Sequence, residues 1–316
     1  MQIQRPRGTK DYIGEDFTRR RNLEDAFIEF YQEKGYQPIE TPLFEQKNLF
    51  VRSVGTETDI VSKELFDLEK KSDETYSLRP EFTAGVIRAL IEMGVKSMPL
   101  PVKVFSVGPC FRYEKPQKGR KRQFNQLSVE LIGKKSPEID GQVIVDGFNF
   151  LKQQGLDVIV NLNSLGSRQS RENYSQNLRK QLADNNDLCE VCKTRRDKNP
   201  LRVWDCKNPD CKPGTIPFIS DNLAPEEASY FEQVQTILQE KGIEFTKKGD
   251  LVRGLDYYTG VVFEYSIKGD EARQGSVGGG GRYDELVQEL GGPNFPAVGY
   301  GLGFDRVIEQ KYDQED

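Results

Sequence analysis

Residues 108–126 read GPCFRYEKPQKGRKRQFNQ. The apolar run Val102–Gly108 leads into this stretch and Phe111–Glu114 prolongs it, while Phe124–Ile132 alternates as a returning strand. Between them lies the charged loop Lys115–Arg122. Two strands joined by a long basic loop form an antiparallel hairpin with a mobile tip. Arg112 and Glu114 are two apart, so on a strand they share a face. Lys118, Arg120, Lys121 and Arg122 crowd the loop, and such a patch suits a triphosphate or the phosphates of an RNA end. The plainer reading is a solvated charged hairpin.

Working outward, a helical pattern runs from Phe17 to Lys34, with Leu23, Phe27 and Phe30 on one face, and Gly35 ends it. Gln37–Phe44 and Tyr76–Leu78 read as strands and Thr83–Met93 as a helix. Further helices are expected over Pro137–Gln154, Arg168–Asn185, Pro225–Lys241 and from Gly303 to about Lys311, with a strand at Val158–Leu162. Antiparallel-type strands mixed with helices argue an α+β fold and not a doubly wound sheet. No internal repeat or low-complexity tract interrupts the chain.

A second informative stretch is Leu251–Glu264, LVRGLDYYTGVVFE. Two strand-like runs flank Arg253, Asp256, Tyr257, Tyr258 and Thr259. A cation, a carboxylate and two phenols converge where a fold normally places hydrophobes, which suggests a binding floor. Read alone, it is equally an antiparallel strand pair with one polar face. Two glycine-rich stretches follow, Gly275–Tyr283 and Gly299–Arg306 (GYGLGFDR), where small residues permit close approach.

The chain has 316 residues, 36% of them hydrophobic and 30% charged, with net charge −5. A protein that merely coats nucleic acid is usually basic, so RNA contact here requires a local patch. No apolar run approaches the ~20 residues of a membrane span, and no secretion signal opens the sequence; a cytoplasmic location is expected. The chain has no histidine, where ordinary usage supplies roughly half a dozen. That excludes serine–histidine triads, cysteine–histidine dyads and every imidazole metal ligand. The chemistry must run on carboxylates, Arg, Lys, Tyr and bound ions.

Four of the five cysteines fall within 25 residues: Cys189 and Cys192 in a C-x-x-C pair, then Cys206 and Cys211. The spacing is that of a four-cysteine zinc site, or of four reduced thiols packing a small insertion. In a cytoplasmic chain metal is favoured over disulfides.

Taken together, these motifs resemble the catalytic domain of histidyl-tRNA synthetases, from about Arg5 to about Glu309. Glu40-Thr41-Pro42 is similar to the first class II synthetase motif, which lies at a dimer interface. Residues 108–126 resemble the second motif and Gly299–Arg306 the third. Leu78–Ala84 (LRPEFTA), Arg253–Gly260 (RGLDYYTG) and Gly278–Asp284 (GGGGRYD) resemble the family's amino-acid pocket.

The resemblance implies a class II synthetase-like antiparallel sheet flanked by helices, forming one domain over 1–316. A four-cysteine insertion is expected at about 166–224, and no C-terminal anticodon-binding domain. It implies that Arg112, Glu114, Arg120, Phe124 and Arg306 bind ATP. Glu81, Thr83, Gln126, Glu130, Arg253, Tyr257 and Tyr258 would bind L-histidine, with Arg112 and Arg253 catalytic. Mg2+, the acceptor end of tRNA(His) and a homodimer are implied too. The sequence departs from the family at Met93 and Asn125, where His is usual, and at Glu285, where Gly is usual. The runner-up is the non-catalytic regulatory subunit of ATP phosphoribosyltransferase, which shares the fold; such paralogues tend to lose the arginines retained here.

Overall fold

The computed structural model describes residues 3–55, 58–69, 73–116, 120–206, 208–270 and 275–312. Lys118 of the basic loop lies outside them. The main sheet has eight strands, in the order β1-β4-β5-β10-β9-β8-β6-β7. These are β1 (Gln37–Pro38), β4 (Val102–Phe111), β5 (Gln123–Ile132), β6 (Val158–Ser164), β7 (Phe245–Lys247), β8 (Thr259–Ile267), β9 (Ser276–Arg282) and β10 (Ala297–Gly303). A small ribbon pairs β2 (Phe44–Gln46) with β3 (Tyr76–Leu78). Only the two edge pairs, β1 with β4 and β6 with β7, are parallel. The expected α+β class with an antiparallel sheet is therefore what forms.

Side chains alternate across each strand, and this alternation separates core from site. Leu127, Val129 and Leu131 of β5, with Val298, Tyr300 and Leu302 of β10, join the back-face core. That core is closed by α1 (Glu15–Glu33), α4 (Pro137–Gln153) and α7 (Pro225–Glu240), through Leu23, Phe27, Phe150, Val234 and Leu238. α1 stops where Gly35 takes φ +76° and the Tyr36 amide reaches back to the Tyr31 carbonyl at 3.0 Å. Ser136 caps α4, with Pro137 in its first turn. The opposite parity, Phe124, Gln126, Ser128 and Glu130, faces α3 (Thr83–Glu92) and a cavity.

Around this frame lie α2 (Lys47–Val54), α5 (Arg168–Leu182), α6 (Glu190–Lys198), α8 (Leu286–Glu289) and α9 (Phe304–Tyr312). Among the described residues no helix is long and apolar enough to cross a membrane.

Three expectations need correction. Gln37–Phe44 is not one strand: it breaks after Pro38, and pairing resumes only at Phe44, because Pro38 and Pro42 supply no ladder donors. Phe111 ends β4, so Arg112 and Glu114 are not strand residues. The Tyr113 amide bonds the Glu64 carbonyl at 2.7 Å and the Glu114 amide folds back to the Arg112 carbonyl at 2.7 Å, drawing the chain off the ladder. Leu251–Glu264 is not a strand pair either. Residues 251–258 form an irregular approach and only Thr259 onward is strand, since the Asp256 amide bonds the Val54 carbonyl on α2.

Candidate active site

The β5–β10–β9 register builds the site floor. Glu130 stands opposite Gly299 and Gln126 opposite Gly303; Gly299 in turn faces Gly281, and Gly301 faces Gly279. A Cβ on Gly299 would strike the Glu130 carboxylate, and one on Gly301 the Gln126 amide. A Cβ on Gly281 would sit 2.9 Å from the Tyr258 ring, and one on Gly279 3.0 Å from Arg253 Nη1. The glycines thus give space to the candidate binding side chains, each lying over one of them. Gly299, Gly301 and Gly303 are strand residues here, and the helix carrying Arg306 begins only at Phe304.

A cavity of about 990 Å³ opens on this floor. It is lined by Arg112, Glu114, Arg120, Phe124, Gln126, Arg253 and Arg306, so all five residues expected to bind ATP share one wall system. Arg112 Nε donates to the Pro80 carbonyl at 3.0 Å, and its guanidinium stands 5.2 Å from the Phe124 ring centre. Arg120 pairs with Glu114 at 3.0 Å. Arg306 Nη1 donates to the Ser276 carbonyl at 2.5 Å; burial, and then the Arg120 charge, lower its pKa. Arg253 is paired with Glu264 at 2.9 Å, and its buried Nε has no acceptor. Glu64 also lines the cavity, and burial together with the Glu114 charge pushes its carboxyl up.

Of the seven residues expected to bind histidine, Gln126 and Arg253 line this cavity, and the other five are gathered behind it. Glu81, Thr83, Glu130, Tyr257 and Tyr258 are all buried. Glu81 accepts from the Thr83 and Ala84 amides at 2.7 and 3.0 Å, closing the first turn of α3. Thr83 Oγ1 donates to Glu130 at 2.7 Å, Ser128 Oγ at 3.0 Å, and the Tyr283 hydroxyl donates as well. Burial raises Glu130 to about 8 in spite of these three donors, and Glu81 also rises. The Tyr257 ring centre lies 4.6 Å from that of Tyr258 and 5.5 Å from that of Tyr283. Burial lifts the Tyr258 phenol to about 12.

Three contributors escaped the sequence reading. Tyr283 stands in GGGGRYD, where the run of glycines is the stronger signal. Glu264 closes the quoted LVRGLDYYTGVVFE, and strand alternation from Val262 already placed it on the site face. Asp305 had no local signal. It accepts from Tyr12 at 2.9 Å, Arg20 at 2.7 Å, Lys121 at 2.9 Å and the Asn125 amide at 3.0 Å. Burial opposes its ionisation, but Lys121 and Arg20 prevail and its pKa falls. Lys121 is therefore spent on holding the hairpin base, and Arg122 stacks 3.9 Å from the Tyr113 ring centre, so much of the basic loop is structural.

The cysteines converge. Cys189, Cys192, Cys206 and Cys211 bring their sulfurs within 4.8 Å of one another. The Cys189–Cys206 separation is 3.7 Å, near the roughly 3.8 Å spacing implied by four sulfurs about 2.3 Å from zinc. The Cys192 amide, then neighbouring thiols, lower Cys189 to about 7, while burial raises Cys192. Burial also raises Cys211, so the fit to a metal ion rests on the donor set: four sulfurs gathered within 4.8 Å of one another.

Comparison with known proteins agrees with this geometry. The family model described as histidyl-tRNA synthetase matches residues 8–169 and 219–307 and passes over 170–218, which hold the cysteines. A histidine–tRNA ligase from Clostridioides difficile is 44% identical over 98% of this chain and 74% of its own length. The crystal structure of apo S. aureus histidyl-tRNA synthetase superposes with a TM-score of 0.80 at 33% identity, covering 99% of this chain and 74% of that one. A Bacillus halodurans protein titled ATP phosphoribosyltransferase regulatory subunit/histidyl-tRNA synthetase gives 0.68 at 25% identity, over 98% and 83%. With its motifs in order along most of its length, this chain belongs to the histidyl-tRNA synthetase family.

Proposed function

We propose that this chain is a histidine–tRNA ligase that joins L-histidine to ATP, giving histidyl-adenylate and pyrophosphate, and then passes the histidyl group to the 3′ end of tRNA(His). The observation that carries this reading is the convergence of Arg112, Arg120, Arg253, Arg306 and Phe124 on one cavity. In the first step a histidine carboxylate oxygen attacks the α-phosphorus and pyrophosphate leaves. That carboxylate is already ionised at neutral pH, so no general base is needed. The step requires in-line placement and cancellation of charge. Arg112 and Arg253 supply both, because guanidinium stays charged and forks onto phosphate oxygens. Arg306 and Arg120 take the outer phosphates and Phe124 the adenine face.

Glu114, with Glu64 beside it, would hold the Mg2+ that accompanies ATP. When bound, that ion supplies positive charge at the outer phosphates. Gln126, at the boundary between cavity and buried cluster, meets the histidine carboxylate. Glu81 and Thr83 take the α-amino group, and Glu130 with Tyr258 reads the ring. In the second step the terminal ribose hydroxyl attacks the histidyl carbonyl and AMP departs. The four cysteines would hold a structural zinc, which would brace the insertion. A homodimer forms over the β2–β3 ribbon, where Leu43 and Phe44 are about half exposed and Phe44 packs edge-on against Tyr76.

Histidine-dependent ATP–pyrophosphate exchange is the decisive measurement. Exchange with histidine alone among amino acids supports the ligase. Histidine binding without exchange would favour the regulatory-subunit reading, which the four retained arginines argue against.

A further inference from the structure

The β5–β10 ladder ends at the pair Gly303–Gln126. Beyond it β10 gives way to α9, and the Asn125 amide bonds Asp305 Oδ2 at 3.0 Å in place of a backbone carbonyl. The Asp305 side chain thus adds a rung to the sheet, one residue before Arg306. Its other oxygen, Oδ1, accepts from Lys121 of the hairpin at 2.9 Å, from Tyr12 at 2.9 Å and from Arg20 at 2.7 Å. The Arg20 and Asp305 side chains are 12% and 10% exposed, so solvent ions screen this pairing little.

Tyr12 is one end of an N-terminal strap whose other end reaches Arg112. The Gly8 carbonyl accepts from the Arg122 amide at 2.8 Å, and the Arg122 carbonyl accepts from the Arg112 amide at 2.9 Å. Gly8 takes φ +83°, and a Cβ there would stand 2.8 Å from Arg122 Cγ, so glycine lets the strap lie against the hairpin. Thr9 Oγ1 donates to the Pro6 carbonyl at 2.7 Å and fixes the turn. The Tyr12 hydroxyl accepts from Lys121 at 3.2 Å, and the Arg20 guanidinium lies 3.9 Å from the Tyr12 ring centre. Arg112 and Arg306 come from distant parts of the chain, and their like charges push them apart. They share one cavity only while the hairpin and α9 keep their separation, and the strap spans it. Gly8, Tyr12 and Arg20 are not among the residues lining the cavity, so they act on a ligand only through the groups they hold.

We propose that the strap of residues 8–12, tied down by Asp305, is a positioning element of the ATP half: it sets Arg112 and Arg306 at the spacing that the triphosphate spans. The identity of the ligand rests on the ligase reading, so binding of MgATP is measured by calorimetry without histidine, apart from catalysis. Tyr12→Phe keeps the ring under Arg20 and removes one donor to Asp305. It should raise the MgATP Kd, and the ATP KM in exchange, by about threefold to tenfold, with the histidine KM within about twofold of the parent. Asp305→Asn removes the charge shared by Arg20 and Lys121 and should raise both ATP constants by about tenfold to a hundredfold. In an Arg306→Gln background, Tyr12→Phe should weaken MgATP by no more than about twofold, because a spacing between two arginines matters only while both are present. Fully multiplicative effects overturn the proposal. So does an equal rise in both KM values, or a loss of folded protein with the MgATP Kd unchanged, which would make the strap purely structural. Should Asp305→Asn unfold, Tyr12→Phe and its pairing with Arg306→Gln decide alone. A parent that binds MgATP without exchange would remove the ligase reading and leave the Kd comparison to judge the strap; a parent that binds no MgATP overturns both.

Discussion

The two halves of the candidate site differ in state. The half proposed to take phosphate is an open cavity, while the half proposed to read the histidine ring is closely packed and hydrogen-bonded within itself. The difference follows from the side chains each half uses. Arg112, Arg120, Arg253 and Arg306 carry like charges and cannot satisfy one another, so they stand apart, each tethered to a carbonyl or carboxylate. The ring-reading half is made of carboxyls and hydroxyls, which are donors and acceptors at once. Thr83, Ser128 and Tyr283 therefore all donate to Glu130. Like-charged cations hold one another apart, and a hydroxyl–carboxyl cluster draws together by mutual satisfaction. On the proposed reading, histidine would exchange its own hydrogen bonds for those of Tyr283 and Thr83, and ligands that cannot do so would be rejected.

The largest effect is expected in the open half. Arg253→Gln should lower the exchange rate by about a hundredfold to a thousandfold with little change in Tm, because its partner Glu264 is partly exposed and readily rehydrated. A fall in Tm with exchange preserved would mean that the open half is structural after all. In the closed half, Glu130→Ala should raise the histidine KM by about tenfold to a hundredfold and leave the ATP KM nearly unchanged. An equal rise for both substrates would merge the two halves and sink the assignment of Glu130 to the ring.

Gly299→Ala joins packing to function. The new methyl must displace the Glu130 carboxylate, and overpacking of this kind costs about 1–3 kcal/mol. Thermal unfolding should show that loss together with a raised histidine KM. A loss of stability with the histidine KM intact would separate the floor from the pocket.

The fold was legible because it is written in local patterns. The alternation over Phe124–Ile132 and the apolar stripe of Leu23, Phe27 and Phe30 each predict their element within a residue or two. The breaks were harder, since they are set by distant partners: the Glu64 carbonyl for Tyr113 and the Val54 carbonyl for Asp256. Residues of the dense motifs do converge, with Arg112, Arg120, Arg253 and Arg306 lining one cavity. Asp305 was not legible, because its role is to receive side chains from Tyr12, Arg20 and Lys121, far away in sequence. Nor could spacing reveal that Glu130 is enclosed by three hydroxyl donors, which depends on how hydroxyls pair in three dimensions.

The closed half also carries a pH signature of its own. Burial lifts Glu130 from an ordinary 4.5 to about 8, so the folded chain keeps a proton that the unfolded chain releases. The stabilisation is full below about pH 4.5 and is lost as pH rises through about 8. Urea midpoints should fall across that window, and Glu130→Gln should flatten the fall. Histidine binding should follow related limits. Between the imidazole value of about 6.5 and about 8, one proton is shared by ring and carboxyl. Affinity should decline above this range as the shared proton is lost and below it as a second is added. Glu130→Gln should abolish the upper limb alone; an unchanged upper limb would place the titrating group elsewhere.

The smallest effect is expected from restoring the family's usual residue in the open half. Asn125 contributes its backbone amide to Asp305 at 3.0 Å, and any residue but proline supplies that bond. Its side chain lines a cavity that repulsion already holds open. Asn125→His should therefore change the ATP KM by no more than about threefold, equivalent to less than about 1 kcal/mol. A larger gain would mean that the adenine wall needs a side-chain contact Asn125 does not make, and that the open half is shaped as closely to its ligand as the closed one.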